Sequence, residues 1–296
     1  MTTSMLASAA LPLSSCLNSE SLDIIDTHTH FYDPRRPEGI PWPRKTDPLY
    51  RPILPENFKK VTKPQGVIGT IVVEASNRLE DNDWLLKQAA LHSNVKGVVG
   101  NVDPALPDFR EQILRLSKNK FFRGIRLKQS IKKLDDKHVI SGLKILAHLN
   151  LSVDILGGSK ILPAVLKISE KVPDLRQVIN HLPFAVHEDK KVEYEKQLIE
   201  ISQKENVYVK VSNVLRKVEG KAIVDPEKYF PVLEKIWTIF GEDKVIFGSN
   251  WPVSERIAKY EDVFNVVNAF VKTKGVDVSR KYFCENSRRA YRWPSA

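Results

Sequence analysis

Short runs of apolar and often β-branched residues recur along the chain, and a longer stretch of mixed apolar and polar residues follows each run. Near-continuous apolar character is typical of strands that are buried on both faces of a parallel sheet. Regular alternation of such strands with amphipathic stretches indicates repeated βα units. We count eight runs, at residues 22–30, 66–76, 95–103, 122–130, 151–158, 175–181, 206–214 and 243–251. Because eight parallel strands close a barrel, the pattern predicts an α/β fold of the (β/α)8 TIM-barrel type.

The stretches between the runs predict helices. They cover residues 81–92, 106–118, 136–149, 160–171, 189–205, 226–240, 257–273 and 279–291. Residues 34–64 are different, because their many prolines remove backbone hydrogen-bond donors, and we expect no regular structure there. Long irregular segments in compact enzymes are usually functional loops. Since this one follows the first strand, we expect it to fold over the mouth of the barrel.

Composition places the chain among globular proteins. With 296 residues, 42% hydrophobic and 28% charged, it is long enough for one barrel domain, which we place at residues 21–296. No apolar run approaches the roughly 18 residues of a membrane span. The net charge of +10 raises the question of nucleic acid, but the lysines alternate with acidic residues as on solvated helix faces. We therefore expect no nucleic-acid partner.

The first 20 residues are expected to be a disordered tail or the remnant of an export signal. They contain no lysine or arginine, and a secretory signal normally begins with positive charge. The sequence ending at Cys16, "LSSC", is nevertheless similar to the box at which bacterial lipoproteins are processed. A cytoplasmic protein is the first expectation and an exported or periplasmic lipoprotein the alternative. The other cysteine, Cys284, is expected to be a small buried apolar residue.

Two of the seven histidines, His28 and His30, lie one residue apart at the end of the first run, behind Asp26. Residues two apart on a strand point to the same face, so all three are expected to share one face. Two converging imidazoles suit a divalent metal or a polarised carbonyl. The other interpretation is a pair of buried, hydrogen-bonded core histidines.

Polar residues end several of the other runs. They are Glu74, Arg126, Lys128, His181, Lys210, Ser212 and Asn250. A barrel core would not accept so many polar groups unless they met in a cavity, and TIM-barrel chemistry occurs at the carboxyl ends of the strands. The remaining histidines are expected to be surface or packing residues. They are His92, His138, His148 and His187.

Eight segments together resemble one enzyme family. They are "IDTHTHFYDP", "VVEASNRLEDNDWLL", "VGNVDP", "RGIRLKQ", "VINHLP", "VYVKVS", "FGSNWPVS" and "ENSRRAYRW". Their order and content are similar to the amidohydrolase-related branch of the amidohydrolase superfamily, over residues 22–293. That branch contains sugar-acid lactonases and pyrone-dicarboxylate lactonase, with a sister group of decarboxylases.

The resemblance implies a (β/α)8 hydrolase in which His28, His30 and His181 occupy the family's histidine positions and Arg126 its anion-binding position. Asn250 stands where the family has an aspartate. An amide cannot act as a base at any relevant pH, so the usual activation of water is in question. Glu74 is the expected substitute, but an ion pair with Arg126 or Lys210 explains it equally well.

We therefore expect hydrolysis of the ester bond in a small sugar-acid or related carboxylate lactone. The expected catalytic residues are His28, His30, His181, Glu74 and Asn250, and the expected substrate-binding residues are Arg126, Lys128 and Lys210. One divalent metal, zinc first, would bind His28, His30 and His181, or the reaction would need no metal. The alternatives are a metal-dependent decarboxylase and a noncatalytic sugar-acid binding protein. The expected partner is a small molecule, and a homo-oligomer remains open.

Overall fold

The computed structural model describes residues 22–156, 158–181 and 191–294, without the side chains of residues 129, 130, 159 and 191. The expectations for residues 1–20, Cys16 and His187 lie outside these ranges. The described part contains ten strands. They are β1 (Ile24–Thr29), β2 (Val67–Val73), β3 (Val95–Gly100), β4 (Phe122–Leu127), β5 (Ser152–Ile155), β6 (Arg176–Ile179), β7 (Val207–Val211), β8 (Arg216–Val218), β9 (Lys221–Ile223) and β10 (Val245–Phe247).

Eight of the strands form one parallel sheet in the order β1-β2-β3-β4-β5-β6-β7-β10. The first and last strands meet just beyond their ends, where the backbone of Thr29 forms a parallel bridge with Trp251. The His30 amide donates to the Trp251 carbonyl at 2.9 Å, and the Asn250 amide donates to the His28 carbonyl at 2.9 Å. The sheet is therefore a nearly closed barrel, which confirms the predicted fold. The hairpin β8–β9, which the sequence did not predict, follows β7.

Helices follow most of the barrel strands. They are α1 (Pro55–Thr62), α2 (Asp81–Leu91), α3 (Phe109–Leu116), α4 (Lys137–His148), α5 (Leu162–Lys171), α6 (Lys191–Ser202), α7 (Phe230–Phe240), α8 (Tyr260–Lys272), α9 (Val276–Arg280) and α10 (Asn286–Tyr291), with a π turn at Lys281–Glu285 between the last two. In the part of the chain that the structure covers, no helix has both the length and the apolar character needed to cross a bilayer.

One expectation about the proline-rich segment is wrong. Residues 34–64 are not irregular throughout, because α1 begins at Pro55. A proline at the first helical position does not interrupt a helix, since its missing N–H would have no partner within the helix. The same segment still reaches the mouth of the barrel, where Tyr32 and Ile53 exchange backbone hydrogen bonds at 2.9 Å.

Apolar side chains fill two regions of the barrel. The larger core lies between the strands and the helices. A smaller cluster joins interior side chains of strands on opposite sides of the ring, among them Ile25, Val99, Val178 and Ile246, to Tyr291 of the C-terminal segment. The interior is therefore packed with apolar side chains at one end, and the polar strand ends gather at the other.

Gly124 of β4 has no room for a side chain. A Cβ atom at this position would lie 2.2 Å from the Ser152 carbonyl oxygen of the paired strand β5. We expect Gly124→Ala to lower the free energy of unfolding by about 3 kcal/mol, because overpacking a paired strand forces the backbone apart. Urea denaturation measures the change, and Lys137→Ala on the exposed surface of α4 is the control. A loss no larger than that of the control would contradict the close packing of β4 against β5.

Candidate active site

A cavity of about 460 Å³ opens at the carboxyl ends of the barrel strands. It contains six of the eight residues that the sequence assigned to the site. They are His30, Glu74, Arg126, Lys128, His181 and Asn250. The other two, His28 and Lys210, are fully buried and do not line the cavity. The structure thus brings together residues from strands that are far apart in sequence.

The three imidazoles lie in direct contact. The ring of His28 is 5.1 Å from that of His30 and 4.3 Å from that of His181, measured between ring centres. The register of β1 against β2 shifts between Asp26 and Thr29, so simple alternation does not hold through this segment. Asp26 does not line the cavity, because its Oδ1 accepts from the backbone amides of His28 at 3.0 Å and Ser249 at 2.9 Å. The expected common face of Asp26 and the two histidines is therefore not observed.

Each imidazole has one nitrogen held by a neighbouring group. Nδ1 of His30 donates to the Val73 carbonyl at 2.9 Å, which leaves its Nε2 as an acceptor. Nδ1 of His181 shares a hydrogen bond of 2.8 Å with the Ser212 hydroxyl. Ser212 was predicted from the sequence as a polar residue at the end of the seventh strand, and the structure shows that its hydroxyl orients His181.

His28 has the opposite arrangement. Nζ of Lys210 lies 3.3 Å from its Nδ1, and an ammonium group can only donate. Nδ1 of His28 therefore accepts, and the proton of the neutral ring lies on Nε2. That Nε2 atom is buried and has no hydrogen-bond partner in the described residues.

Lys210 is one member of a buried chain of polar groups beneath the cavity. Its ammonium group lies 2.7 Å from the Asp154 carboxylate, and both side chains are completely inaccessible. The Tyr291 hydroxyl donates to the same carboxylate at 2.9 Å. Burial lowers the pKa of Lys210, whereas Asp154 acts in the opposite direction. Lys210 thus contacts His28 from below, in a different position from the substrate-binding one that the sequence suggested.

All three histidines are held in the neutral form. Burial lowers the pKa of His181 to about 3, and Lys210 and His30 add to the effect. Burial followed by the charge of Arg126 lowers the pKa of His30 to about 4. The pKa of His28 lies well below its usual value, again mainly because of burial. At neutral pH these rings are therefore unprotonated and are weak bases.

Glu74 is held by two cations. Its Oε1 accepts from Nε of Arg126 at 2.6 Å and lies 2.9 Å from Nζ of Lys128. Burial alone would raise the pKa of this carboxyl group, but Arg126 and then Lys128 outweigh it and lower the pKa. Of the two interpretations left open for Glu74, the geometry favours the ion pair, because Arg126 and Lys128 both contact the same carboxylate oxygen.

Asn250 occupies the last strand end in a left-handed backbone conformation, with φ of 63°. His181 and Asn213 have similar values, 53° and 55°. Such residues are uncommon outside glycine and cluster at functional sites, where the surrounding structure holds them in place. The Asn250 side chain lies at the cavity wall, with its amide nitrogen 3.4 Å from Oδ1 of Asn213.

The donor set does not fit the three-histidine metal site that the sequence suggested. A zinc ligand must present a lone pair, and Nε2 of His28 carries a proton while Lys210 holds Nδ1. The buried ammonium group also places positive charge next to the imidazoles. Glu74, the carboxylate that lines the cavity, already pairs with two cations. Among the described residues, no group of three or more histidine, cysteine, aspartate or glutamate side chains has a metal-binding arrangement.

Two functional residues were not found from the sequence. Trp42, from the proline-rich segment, lines the cavity with its ring centre 6.0 Å from that of His30. A tryptophan between two prolines in the segment expected at the barrel mouth was the available signal. Asp154 was also missed, although a carboxylate inside the apolar run "LSVDIL" requires a buried partner.

The remaining single-residue expectations concern positions away from the cavity. His138 and His148 lie exposed on α4, and His92 follows α2 and contacts Glu56 at 3.3 Å. None of the three lines the cavity. Cys284 is buried and free, as the sequence predicted.

We expect Lys210→Met to lower the free energy of unfolding by about 3–5 kcal/mol, because it leaves the Asp154 carboxylate buried without its charge partner. Lys210→Met combined with Asp154→Leu should recover at least half of that loss. The matched control is Lys235→Met, which breaks a half-exposed pair with Glu195 and should cost less than about 1 kcal/mol. Urea denaturation gives all three values, and equal losses for Lys210→Met and the control would contradict a buried charge pair.

Comparisons with known proteins agree with this architecture. A family profile described as Amidohydrolase matches residues 25–293. An L-fucono-1,5-lactonase of Burkholderia ambifaria is 30% identical over 246 residues, which is 80% of this chain and 83% of that protein. A crystal structure of an amidohydrolase from Burkholderia multivorans with bound zinc aligns with a TM-score of 0.80 and 22% identity over 92% of this chain and 100% of that one.

A second solved structure, a putative 2-pyrone-4,6-dicarboxylic acid hydrolase of Pseudomonas putida, aligns with a TM-score of 0.72 and 16% identity, over 93% of this chain and 100% of that one. At such identities the two structures support the fold. The profile covers nearly all of the described barrel, and the lactonase covers four fifths of the chain. The chain belongs to the amidohydrolase family.

Proposed function

We propose that this protein hydrolyses the lactone ester bond of a small sugar acid. One observation carries the proposal: two neutral histidines and an amide line the same cavity as Arg126 and Lys128. The name of the B. ambifaria relative supports the same reaction. The cavity of about 460 Å³ is within the range of roughly 300–1,000 Å³ of small-molecule sites.

Arg126 and Lys128 bind the polar end of the substrate in this proposal. Glu74 fixes both side chains, with Nε of Arg126 at 2.6 Å, so they are preorganised before the substrate arrives. A guanidinium group offers paired donors to carboxylate or hydroxyl oxygens, and an ammonium group adds charge. Trp42 lines the cavity beside His30, and its aromatic ring suits contact with the apolar C–H groups of a sugar.

His181 acts as the general base. It is neutral, lines the cavity and is oriented by Ser212. Water attacks the lactone carbonyl carbon while His181 accepts a proton from it, and the carbon–oxygen bond to the ring oxygen then breaks. The same proton passes to the departing ring oxygen. Burial, and after it the charge of Lys210, makes His181 a weak base in the resting site, and the negative charge that develops on the carbonyl oxygen stabilises its protonated form.

Asn250 stabilises the developing oxyanion. Its amide nitrogen lies 3.4 Å from Oδ1 of Asn213, a long contact that a substrate oxygen can replace, and its side chain also interacts with His30. One well-placed donor of this kind is worth about 3–4 kcal/mol in related hydrolytic sites. The proposal therefore needs no carboxylate at this strand end and no step through a metal. Because the sister decarboxylases rely on both, decarboxylation is the weaker candidate.

Lys210 positions His28 rather than substrate. It fixes the proton of His28 on Nε2, on the ring that packs 4.3 Å from His181. Because His28 keeps one tautomer, the ring that packs against His181 always presents the same arrangement of proton and lone pair.

A screen of sugar-acid lactones with a pH indicator, with and without chelator, tests the proposal. We expect turnover that the chelator leaves unchanged, and a loss of at least about 100-fold in kcat for His181→Ala. The matched control is His148→Ala on the exposed surface of α4, which should keep full activity. If the natural chain hydrolyses no lactone and Asn250→Asp does, the protein is a sugar-acid binding protein that has lost its base.

The pH dependence follows from the lowered pKa values. A base must be unprotonated, and the pKa of His181 lies near 3 and that of His30 near 4. The value of kcat/KM should therefore stay flat from about pH 8 down to pH 5 and fall only as these groups are protonated. Initial rates corrected for spontaneous hydrolysis give the profile, and circular dichroism at each pH excludes unfolding. An acid limb centred near the usual histidine value of about 6.5 would contradict the buried neutral base.

A further inference from the structure

A second cavity of about 300 Å³ adjoins the candidate active site. The two cavities share Asn77, Arg126 and Lys128 in their walls. Beyond these residues the second cavity extends along the segment that follows β3 and reaches Gln112 on α3. Apart from Arg126 and Lys128 at the shared edge, the proposed mechanism uses no residue of this second cavity.

The walls of the second cavity combine amide, carboxylate and apolar groups. Asn101 and Gln112 contribute amides, Asp103 and Asp108 contribute carboxylates, and Leu106 contributes apolar surface. Amides both donate and accept, and carboxylates accept, which suits neighbouring hydroxyl groups on a ring. Apolar carbon next to them suits the C–H faces of a sugar.

The same walls disfavour the other common ligand classes. Two carboxylates repel a second anionic group, even with Arg126 and Lys128 at the shared edge. No aromatic side chain is among the described residues that line this space, so a flat aromatic group would find no stacking partner. A neutral, hydroxyl-rich group fits best.

The parts of the wall that the substrate would touch are held in place. The Asn82 side chain holds the backbone of Asn101 in place through two hydrogen bonds. The Asn101 amide donates to Oδ1 of Asn82 at 2.8 Å, and the Asn101 carbonyl accepts from Nδ2 of Asn82 at 2.9 Å. At the shared edge, Glu74 fixes Arg126 and Lys128. A preorganised wall lowers the entropic cost of binding.

We propose that the second cavity is a subsite for a neutral sugar linked to the lactone ring, so that the substrate is the lactone of a disaccharide acid. This inference rests on the proposed lactone hydrolysis and adds the substrate class. The cationic edge would hold the junction between the two rings, with the lactone on the histidine side and the second sugar on the amide side.

The test compares two lactones in the natural chain and in Leu106→Trp. Leu106 lines only the second cavity and is 53% exposed, so a larger side chain can fill the space without disturbing the core. The probes are the monosaccharide 1,5-lactone that the chain hydrolyses fastest and the same lactone carrying glucose on O4. Leu91→Trp is the matched control, because Leu91 is 65% exposed at the end of α2 and lines neither cavity.

We expect the natural chain to prefer the disaccharide lactone in kcat/KM by about 10-fold, and Leu106→Trp to remove that preference mainly through KM. Hydrolysis of the monosaccharide lactone should be unchanged in both variants. Equal kcat/KM for the two lactones in the natural chain, or equal losses on both lactones in Leu106→Trp, would overturn the subsite while leaving the proposed function intact.

A binding measurement separates the two proposals. Calorimetry with cellobionate and gluconate needs no turnover. If no lactone is hydrolysed, the proposed function fails, whereas tighter binding of cellobionate that Leu106→Trp abolishes still supports the subsite. Equal binding of the two acids would overturn it.

Discussion

The buried pair of Lys210 and Asp154 is the interaction on which the candidate site depends. Two opposite charges, both inaccessible to water, lie 2.7 Å apart inside the barrel, and Tyr291 satisfies the same carboxylate. Such a pair contributes little net stability, since desolvation offsets attraction, but its removal on one side is costly. What it provides is position: it holds an ammonium group against His28 and thereby fixes the tautomer of the innermost imidazole.

Much of the fold could be predicted from sequence because parallel barrel strands are buried on both faces and so carry near-continuous apolar runs. All eight barrel strands lie within the predicted runs. Helix boundaries were less predictable than strand positions. In the proline-rich segment the prediction of irregular structure was wrong, because Pro55 begins α1. The hairpin β8–β9 has mostly exposed, charged residues and no apolar run, so periodicity could not reveal it.

The clustering of polar residues at the strand ends was also predictable, but which of them line the cavity and which are buried beneath it was not. Arg126 and Lys210 look alike in sequence, each a cation near the end of an apolar strand, yet one lines the cavity and the other lies beneath it. The difference depends on strand stagger around the ring and on a carboxylate from another strand, which no local pattern records. The role of Glu74 was undecidable for the same reason, because its partners come from β4 and the residue that follows that strand.

The triad of Glu74, Arg126 and Lys128 bears on how a reaction cycle ends. Opening a lactone creates a new carboxylate, and a pair of unmatched cations would retain that anion strongly. Here one carboxylate already pairs with both cations and cancels one of their two positive charges, so the site holds the departing acid less strongly than two unpaired cations would. The built-in counter-ion thus favours product release as much as substrate capture.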